Sequence, residues 1–179
     1  MFEGWSDFYL LAGSAAAVLI GLIFIVMTMM QNRPRSRVLA GSRLYMGPVV
    51  LHMSFVLVLS GAALVPRIDP RGFALIACLA ALWGLAKGVE VTAGIRRLAF
   101  GNDPPHWSDM WFYGLIPAAL YLALTVAALA VAGGQGWAGD AIAAVIVALL
   151  LVGIRNEWDL VTWIAPRADD DGADAAGSA

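Results

Sequence analysis

The chain has 179 residues, of which 61% are hydrophobic and 13% are charged, and its mean hydropathy is +0.79. An ordinary soluble domain is excluded, because one small core could not enclose so much apolar surface. The formal net charge is −2, and no dense stripe of Lys and Arg indicates a nucleic-acid partner.

Five long apolar blocks predict an all-α helical bundle that crosses a lipid bilayer five times. A span needs about 20 mostly apolar residues, and the blocks are continuous rather than alternating as barrel strands are. Residues 1–165 are predicted to form one transmembrane domain, with helices at about 8–30, 44–65, 72–92, 109–132 and 140–165. Residues 166–179, rich in Asp, Gly and Ala, are expected to form a disordered acidic cytoplasmic tail.

The first and third blocks carry small residues at four-residue spacing, which lets helix backbones approach closely in lipid. The stripes comprise Gly13, Ala17 and Gly21 in the first block and Ala80, Gly84 and Gly88 in the third. Packing within the same bundle is the favoured interpretation, and an interface with a second copy or another membrane protein stays open.

Polar residues inside the second and third blocks are candidates for function. His52 is predicted to be a hydrogen-bond partner between helices rather than a proton relay. Lys87 and Glu90 share one helix face and can pair. Lys87 lies roughly 8 Å from the predicted end of its helix. The two charges either extend to the headgroups or face inward, lining a cavity or proton path.

The fourth block contains Pro117, which should kink the helix or leave a carbonyl for a neighbouring helix to satisfy. Ser108 or Asp109 is the predicted N-cap of this helix, and Asp140 that of the next. Aromatic residues are expected at the two bilayer interfaces. Trp5, Tyr9, Phe73 and Trp137 are assigned to the outer one, and Tyr45, Trp107, Trp111, Tyr113 and Trp163 to the inner one.

The fifth block must include charged residues, because its unbroken apolar run, 141–154, is too short to cross a bilayer alone. The helix is therefore predicted to continue through the segment 155–159. Arg155, Asp159 and Thr162 then share one face, with Asn156 beside them. This pattern predicts a polar stripe that faces the bundle interior.

The distribution of Lys and Arg predicts the orientation, because positive charge in short connections stays on the cytoplasmic side. Arg67 and Arg71 fall on one side of the five blocks. The other side carries Arg33, Arg35, Arg37, Arg43, Lys87, Arg96, Arg97, Arg155 and Arg167. The N-terminus is therefore predicted to lie outside and the C-terminus in the cytoplasm.

The ionisable residues of the blocks fall at a similar depth in the predicted cytoplasmic half. We expect an inward-open polar pocket in which Glu90 and Arg155 meet across helices, with Lys87 and His52 nearby. The full predicted cluster is His52, Lys87, Glu90, Arg155, Asn156 and Asp159. No motif for catalysis, a metal or a cofactor is recognisable, and the lone Cys78 excludes an intramolecular disulfide.

Two segments of the chain resemble a known family. They are residues 12–24, Ala-Gly-Ser-Ala-Ala-Ala-Val-Leu-Ile-Gly-Leu-Ile-Phe, and residues 155–160, Arg-Asn-Glu-Trp-Asp-Leu. The chain resembles a widespread group of small, uncharacterised bacterial membrane proteins with several helices. In that group the first helix carries a similar small-residue pattern and the last ends in a similar Arg/Asn–x–Trp signature. The resemblance implies a bacterial inner-membrane location, and it implies no activity, ligand or catalytic residue.

The sequence favours a non-enzymatic membrane protein that acts by association, as a subunit, adaptor or regulator. Its expected partners are the lipid bilayer and a second copy or another membrane protein. The alternative is a small oligomeric transporter or channel for protons, ions or a small anion that uses the cytoplasmic-side polar cluster. An intramembrane enzyme is the least favoured class, because no complete catalytic arrangement is present.

Overall fold

A computed structural model describes residues 4–29, 45–98 and 106–164, and within these ranges the chain contains helices and no strand. Five helices are each long and apolar enough to cross a membrane. They are α1 (Ser6–Met29), α2 (Gly47–Leu64), α3 (Pro70–Leu98), α4 (Trp107–Ala132) and α5 (Ala138–Ile164). The predicted all-α fold with five candidate spans is thereby confirmed. The predicted tail, 166–179, lies outside the described residues, as does the side chain of Trp163.

Helix α3 continues to Leu98, beyond the predicted end at Thr92. The extra turns are stabilised by Ile95, which is buried in the bundle. Arg96 and Arg97 lie in the last turn, where positive charge interacts favourably with the helix dipole.

The predicted N-caps of the last two helices are wrong. Helix α4 begins at Trp107, and its N-cap is His106, whose Nδ1 accepts a hydrogen bond from the backbone N–H of Ser108 at 3.4 Å. Ser108 and Asp109 therefore lie inside the first turn. Asp140 likewise lies in the first turn of α5, because that helix begins at Ala138.

Successive helices run in alternating directions. Gly13 of α1 lies against Ser60 near the end of α2, and three α3 positions, 84, 88 and 92, meet α4 at 121, 118 and 114. The start of α4 likewise meets the end of α5, where Asn156 bonds to Phe112. Helices α1, α3 and α5 therefore finish at one end of the bundle, where α2 and α4 begin. We call this the basic end, because Arg96 and Arg97 close α3 there.

Among the described helices, α3 and α4 make the most extensive contact, and glycines make their close approach possible. The ring of Tyr121 lies where a Cβ on Gly84 would stand, and Thr92 Oγ1 occupies the corresponding place at Gly114. A Cβ on Gly88 would stand 3.1 Å from that of Ala118. Small residues at these crossings allow extensive dispersion contact, which favours helix association where water is absent.

The turn between α4 and α5 depends on Gly134. This residue has φ +71, a left-handed conformation that glycine adopts without steric cost. Its N–H donates to the carbonyl of Val131, and the N–H of Gln135 donates to that of Ala130. These bonds satisfy carbonyls at the end of α4 that have no partner within the helix.

Three aromatic residues assigned to the bilayer interfaces are buried in the bundle instead. Tyr9, Phe73 and Tyr113 are each at most 1% exposed. Their rings fill space between helices, because each lies on the inward side of its helix. Trp107, Trp111 and Trp137 are exposed, as an interfacial position requires.

The Gly84 contact gives a stability prediction. Gly84→Ala should destabilise the bundle by about 1–3 kcal/mol, because its methyl group would overlap the ring of Tyr121. That ring cannot move away freely, since its hydroxyl is bonded to His52. Unfolding by SDS in mixed micelles measures the effect.

Gly61→Ala is the matched control, because a Cβ at Gly61 on α2 would meet no atom within 4 Å. This variant should unfold at the same SDS fraction as wild type or at a higher one. Equal stability of the Gly84 and Gly61 variants would contradict the assigned α3–α4 packing.

Candidate functional site

The six residues of the predicted polar cluster fall in three separate places. Lys87 and Glu90 form one pair, and His52 pairs with Tyr121. Arg155, Asn156 and Asp159 belong to a third group around the start of α4. The expected meeting of Glu90 with Arg155 does not occur among the described contacts, and no single pocket unites the six.

Lys87 and Glu90 lie on the outside of the bundle. Nζ of Lys87 donates to Oε2 of Glu90 at 2.7 Å, and the two side chains are 46% and 69% exposed. The inward face of α3 is taken by Gly84, Gly88 and Val91, which are buried. Because those residues face the interior, the rotation of α3 about its axis places Lys87 and Glu90 on the outside.

His52 is buried in the bundle and bonded to α4. Its Nδ1 lies 2.7 Å from the hydroxyl of Tyr121, whose ring lies on Gly84 of α3. When the hydroxyl donates to Nδ1, Nε2 carries the ring proton. Nε2 is buried without a hydrogen-bond partner in the described part of the chain. The structure thus gives His52 the predicted contact between helices and leaves one nitrogen for a further ligand.

The start of α4 contains a π-helical segment, Met110–Leu115. The N–H of Ile116 donates to the carbonyl of Trp111, five residues earlier. In this register the carbonyl of Phe112 faces the nitrogen of Pro117, which has no hydrogen to donate. Pro117 therefore leaves one backbone acceptor inside the bundle without a partner in its own helix.

Asn156 of α5 supplies the missing donor. Its Nδ2 donates to the carbonyl of Phe112 at 3.1 Å, and the residue is fully buried. The prediction that a neighbouring helix satisfies a carbonyl freed by Pro117 is therefore confirmed. A carboxamide suits this position, because it donates to the carbonyl while its oxygen accepts from another group.

That other group is Arg155. Its Nη1 donates to Oδ1 of Asn156 at 3.3 Å and lies 3.9 Å from Oδ2 of Asp159. The guanidinium carbon lies 3.9 Å from the centre of the Phe112 ring, within cation–π range. The aromatic ring and the neighbouring carboxylate together stabilise the charge at this depth.

Two tyrosines connect this group to the start of α2. The single hydroxyl hydrogen of Tyr113 is shared between the carbonyl of Asn156, at 3.1 Å, and Oδ2 of Asp159, at 3.3 Å. Its ring contacts that of Tyr45 edge to face, and the hydroxyl of Tyr45 donates to Oδ2 of Asp109 at 3.4 Å. Burial raises the pKa of Tyr45 to about 12, and the negative charge of Asp109 adds to the rise. The phenol therefore remains a donor at neutral pH.

Glu157 is a buried acid that does not belong to the predicted cluster. It is 7% exposed, and its Oε1 has no hydrogen-bond partner in the described residues. Gly153, four residues earlier and on the same face of α5, lies against Met53 of α2. Glu157 thus brings a carboxyl group to the interior at the basic end.

These groups can bind protons and hold helices together, and they do not form a recognisable catalytic or metal site. No group of three or more metal-ligating side chains occurs within residues 4–29, 45–98 and 106–164. The polar network closes mainly on itself and ties α4 to α2 and α5. The network therefore holds helices together, and among the described residues the buried side chains of His52, Ser60 and Glu157 each retain a polar atom without a hydrogen-bond partner.

The two predicted small-residue stripes have different surroundings. Ala80, Gly84 and Gly88 are buried and face the interior of the bundle. In α1, Gly13 packs on Ser60, whereas Ala17 and Gly21 are exposed. A Cβ on Gly21 would meet no atom within 4 Å. The α1 stripe is thus buried at Gly13 and exposed to the outside of the bundle at Ala17 and Gly21.

Several residues of the observed network were missed, and one signal could have found Tyr121. A phenol in the middle of an apolar block needs a hydrogen-bond partner when it is buried, and His52 was the available candidate. Tyr113 was assigned to the interface from residue type alone. Nothing in the sequence spacing distinguishes its inward direction, which follows from the π-helical register of α4.

Comparisons with known proteins do not identify the chain. No family model matches it, and neither a curated protein nor a solved structure does.

The Asn156–Phe112 bond gives a prediction that a double-mutant cycle can test. Asn156→Leu should destabilise the bundle by about 1–3 kcal/mol, because the buried carbonyl of Phe112 loses its donor. In a Pro117→Ala background the loss should be smaller by at least about 0.5 kcal/mol, since residue 117 then supplies an N–H. Unfolding by SDS provides the four free energies.

Thr162→Val serves as the control, because the Thr162 hydroxyl is exposed and bonds only to the backbone of its own helix. Its effect should be the same in both backgrounds. Equal losses for Asn156→Leu with and without Pro117 would show that the two residues do not share one carbonyl.

Proposed function

We propose that this chain is a multi-pass membrane protein that acts by association in the bilayer, as a subunit, adaptor or regulator rather than an enzyme. The observation that carries the proposal is the outward small-residue stripe of α1. Ser14, Ala17 and Gly21 are exposed on this helix, and small residues are what close helix packing in lipid requires. Internal packing uses Gly13 and leaves the space beside Gly21 open, which supports approach of a partner helix there.

The surface of the described residues supports placement in a membrane. Large apolar side chains are exposed on all five helices, for example Leu11, Val58, Leu79, Leu129 and Leu151. Lipid tails accommodate such a surface, whereas water disfavours it. The excess of Lys and Arg at the basic end supports a cytoplasmic location for that end, with the N-terminus outside. A bacterial inner-membrane location, which the resemblance of residues 12–24 and 155–160 implies, is part of the proposal.

Native extraction tests the association directly. The protein, taken from its membrane in copolymer discs, should have a defined mass above that of one 18.9 kDa chain. Gly21→Leu should reduce the amount of the larger species, because the side chain would block close approach of a helix to α1. Crosslinking and mass photometry give the distribution of species.

The control is Gly61→Leu, because Gly61 is also exposed and open but lies on α2. It should leave the assembly unchanged. A wild-type protein that is monomeric in the discs and crosslinks to no other chain would refute the proposed function.

The second candidate is proton transport, and the unused polar atoms of Glu157 and His52 are the observations that favour it. Ionisable side chains inside a bundle often line proton paths. Under this hypothesis Glu157→Gln removes most of the proton flux in proteoliposomes, because the amide cannot release a proton. Glu90→Gln should have little effect, since Glu90 is on the outside. Equal leak through wild type and Glu157→Gln would eliminate this candidate.

A further inference from the structure

The outward face of α3 carries an ion pair inside an apolar surface. Lys87 and Glu90 are bonded to each other at 2.7 Å and are both exposed. On the same face of the helix, Trp83 and Leu79 are exposed one and two turns earlier. The pair is therefore part of the surface that faces away from the other helices, and on the side away from the basic end that surface continues with apolar side chains.

The pair also lies well before the end of the helix. At 1.5 Å per residue, Lys87 is roughly 16 Å and Glu90 roughly 12 Å before Leu98. Arg96 and Arg97 lie between the pair and that end. These arginines favour the headgroup layer. When they lie in that layer, Lys87 and Glu90 lie on its hydrocarbon side.

Charge in this position is costly when lipid is the only neighbour. A charged side chain at the centre of a membrane helix costs about 2.5–3.5 kcal/mol on insertion scales. Pairing within the chain removes part of that cost, but it uses one donor of Lys87 and one oxygen of Glu90. The ammonium group retains two donors and the carboxylate retains its second oxygen for a partner.

We propose that a second copy of this chain docks on this face of α3, related by a two-fold axis along the membrane normal. Lys87 of each copy then bonds to Glu90 of the other, in addition to its own. This inference rests on the proposed function, and it names one of the association partners and the surface that binds it.

The charges on this face of α3 complement those of a second copy. A two-fold interface requires a surface that complements itself. If one residue contacts a second residue on the other copy, the reverse contact forms as well. Lys87 and Glu90 have opposite signs and lie about 4.5 Å apart along the helix axis. The two residues also lie about 60° apart around the helix. Two-fold rotation therefore places Lys87 of one copy on the same side of the axis as Glu90 of the other, and the long side chains span the offset in depth. The exposed side chains of Trp83 and Leu79, one and two turns earlier, extend the contact away from the basic end.

An exchange of charges tests the inference. Lys87→Glu gives a face with two acids, and Glu90→Lys gives a face with two bases. Each single variant should self-associate at least about tenfold more weakly than wild type, because like charges meet across the axis. A mixture of the two variants should recover association to within about threefold of wild type, since each acid then faces a base.

Energy transfer between labelled copies in liposomes, measured as the lipid-to-protein ratio is varied, provides these dissociation constants. Arg71→Glu is the matched control, because it reverses an exposed charge at the opposite end of the same helix. It should leave self-association unchanged. The double variant Lys87→Glu/Glu90→Lys should self-associate like wild type, which also shows that the altered face still folds.

The outcomes separate this inference from the proposed function. Equal self-association of all variants, or a mixture that does not recover, would overturn it and indicate that the charges extend to the headgroups. Wild type that carries other proteins but no second copy would overturn it while the association function stands. Wild type that is monomeric and carries no other protein would refute both.

Discussion

The hydrogen bond between Asn156 and the carbonyl of Phe112 is the contact around which the polar part of the bundle is arranged. This bond is needed because of the covalent structure of proline. Pro117 has no N–H, and the proline ring prevents the ordinary helical hydrogen bond. Where water is scarce, a free carbonyl must find a donor in another helix. Asn156 meets this need, and its position brings Arg155 over the Phe112 ring and Asp159 to the hydroxyl of Tyr113. One missing donor in α4 therefore determines which residues of α5 can face it.

The helices could be predicted from the sequence because hydropathy depends on composition over about 20 residues and not on neighbours in space. The consequence of Pro117 could also be predicted, since the backbone chemistry of proline is local. The end of α3 and the caps of α4 and α5 were placed inaccurately. The end of α3 depends on tertiary packing of Ile95, and the start of α4 depends on a hydrogen bond that the His106 side chain accepts from Ser108; neither has a strong local signal.

The site was less predictable, because a similar depth does not determine the rotation of a helix about its axis. Glu90 and Arg155 share an end of the bundle, yet Gly84 and Gly88 turn the inward face of α3 away from Glu90. The small residues of α3 are predicted packing positions, so they also predict which side of the helix faces the bundle. Combining the two patterns on one helix would have placed Lys87 and Glu90 outside. Glu157 illustrates the opposite case, since no apolar stripe in its segment indicates that it is buried.

The positions of the charges separate what stabilises one copy from what can recognise another. Inside the bundle, Arg155, Asn156 and Tyr113 satisfy one another and a backbone carbonyl, so their removal should act first on stability. On the outside, the Lys87–Glu90 pair lies where the α3–α4 contact does not need it. A polar pair that is unnecessary for internal packing is costly in lipid. The proposed two-fold contact lowers that cost without further polar groups, because the same two residues supply both partners of each contact.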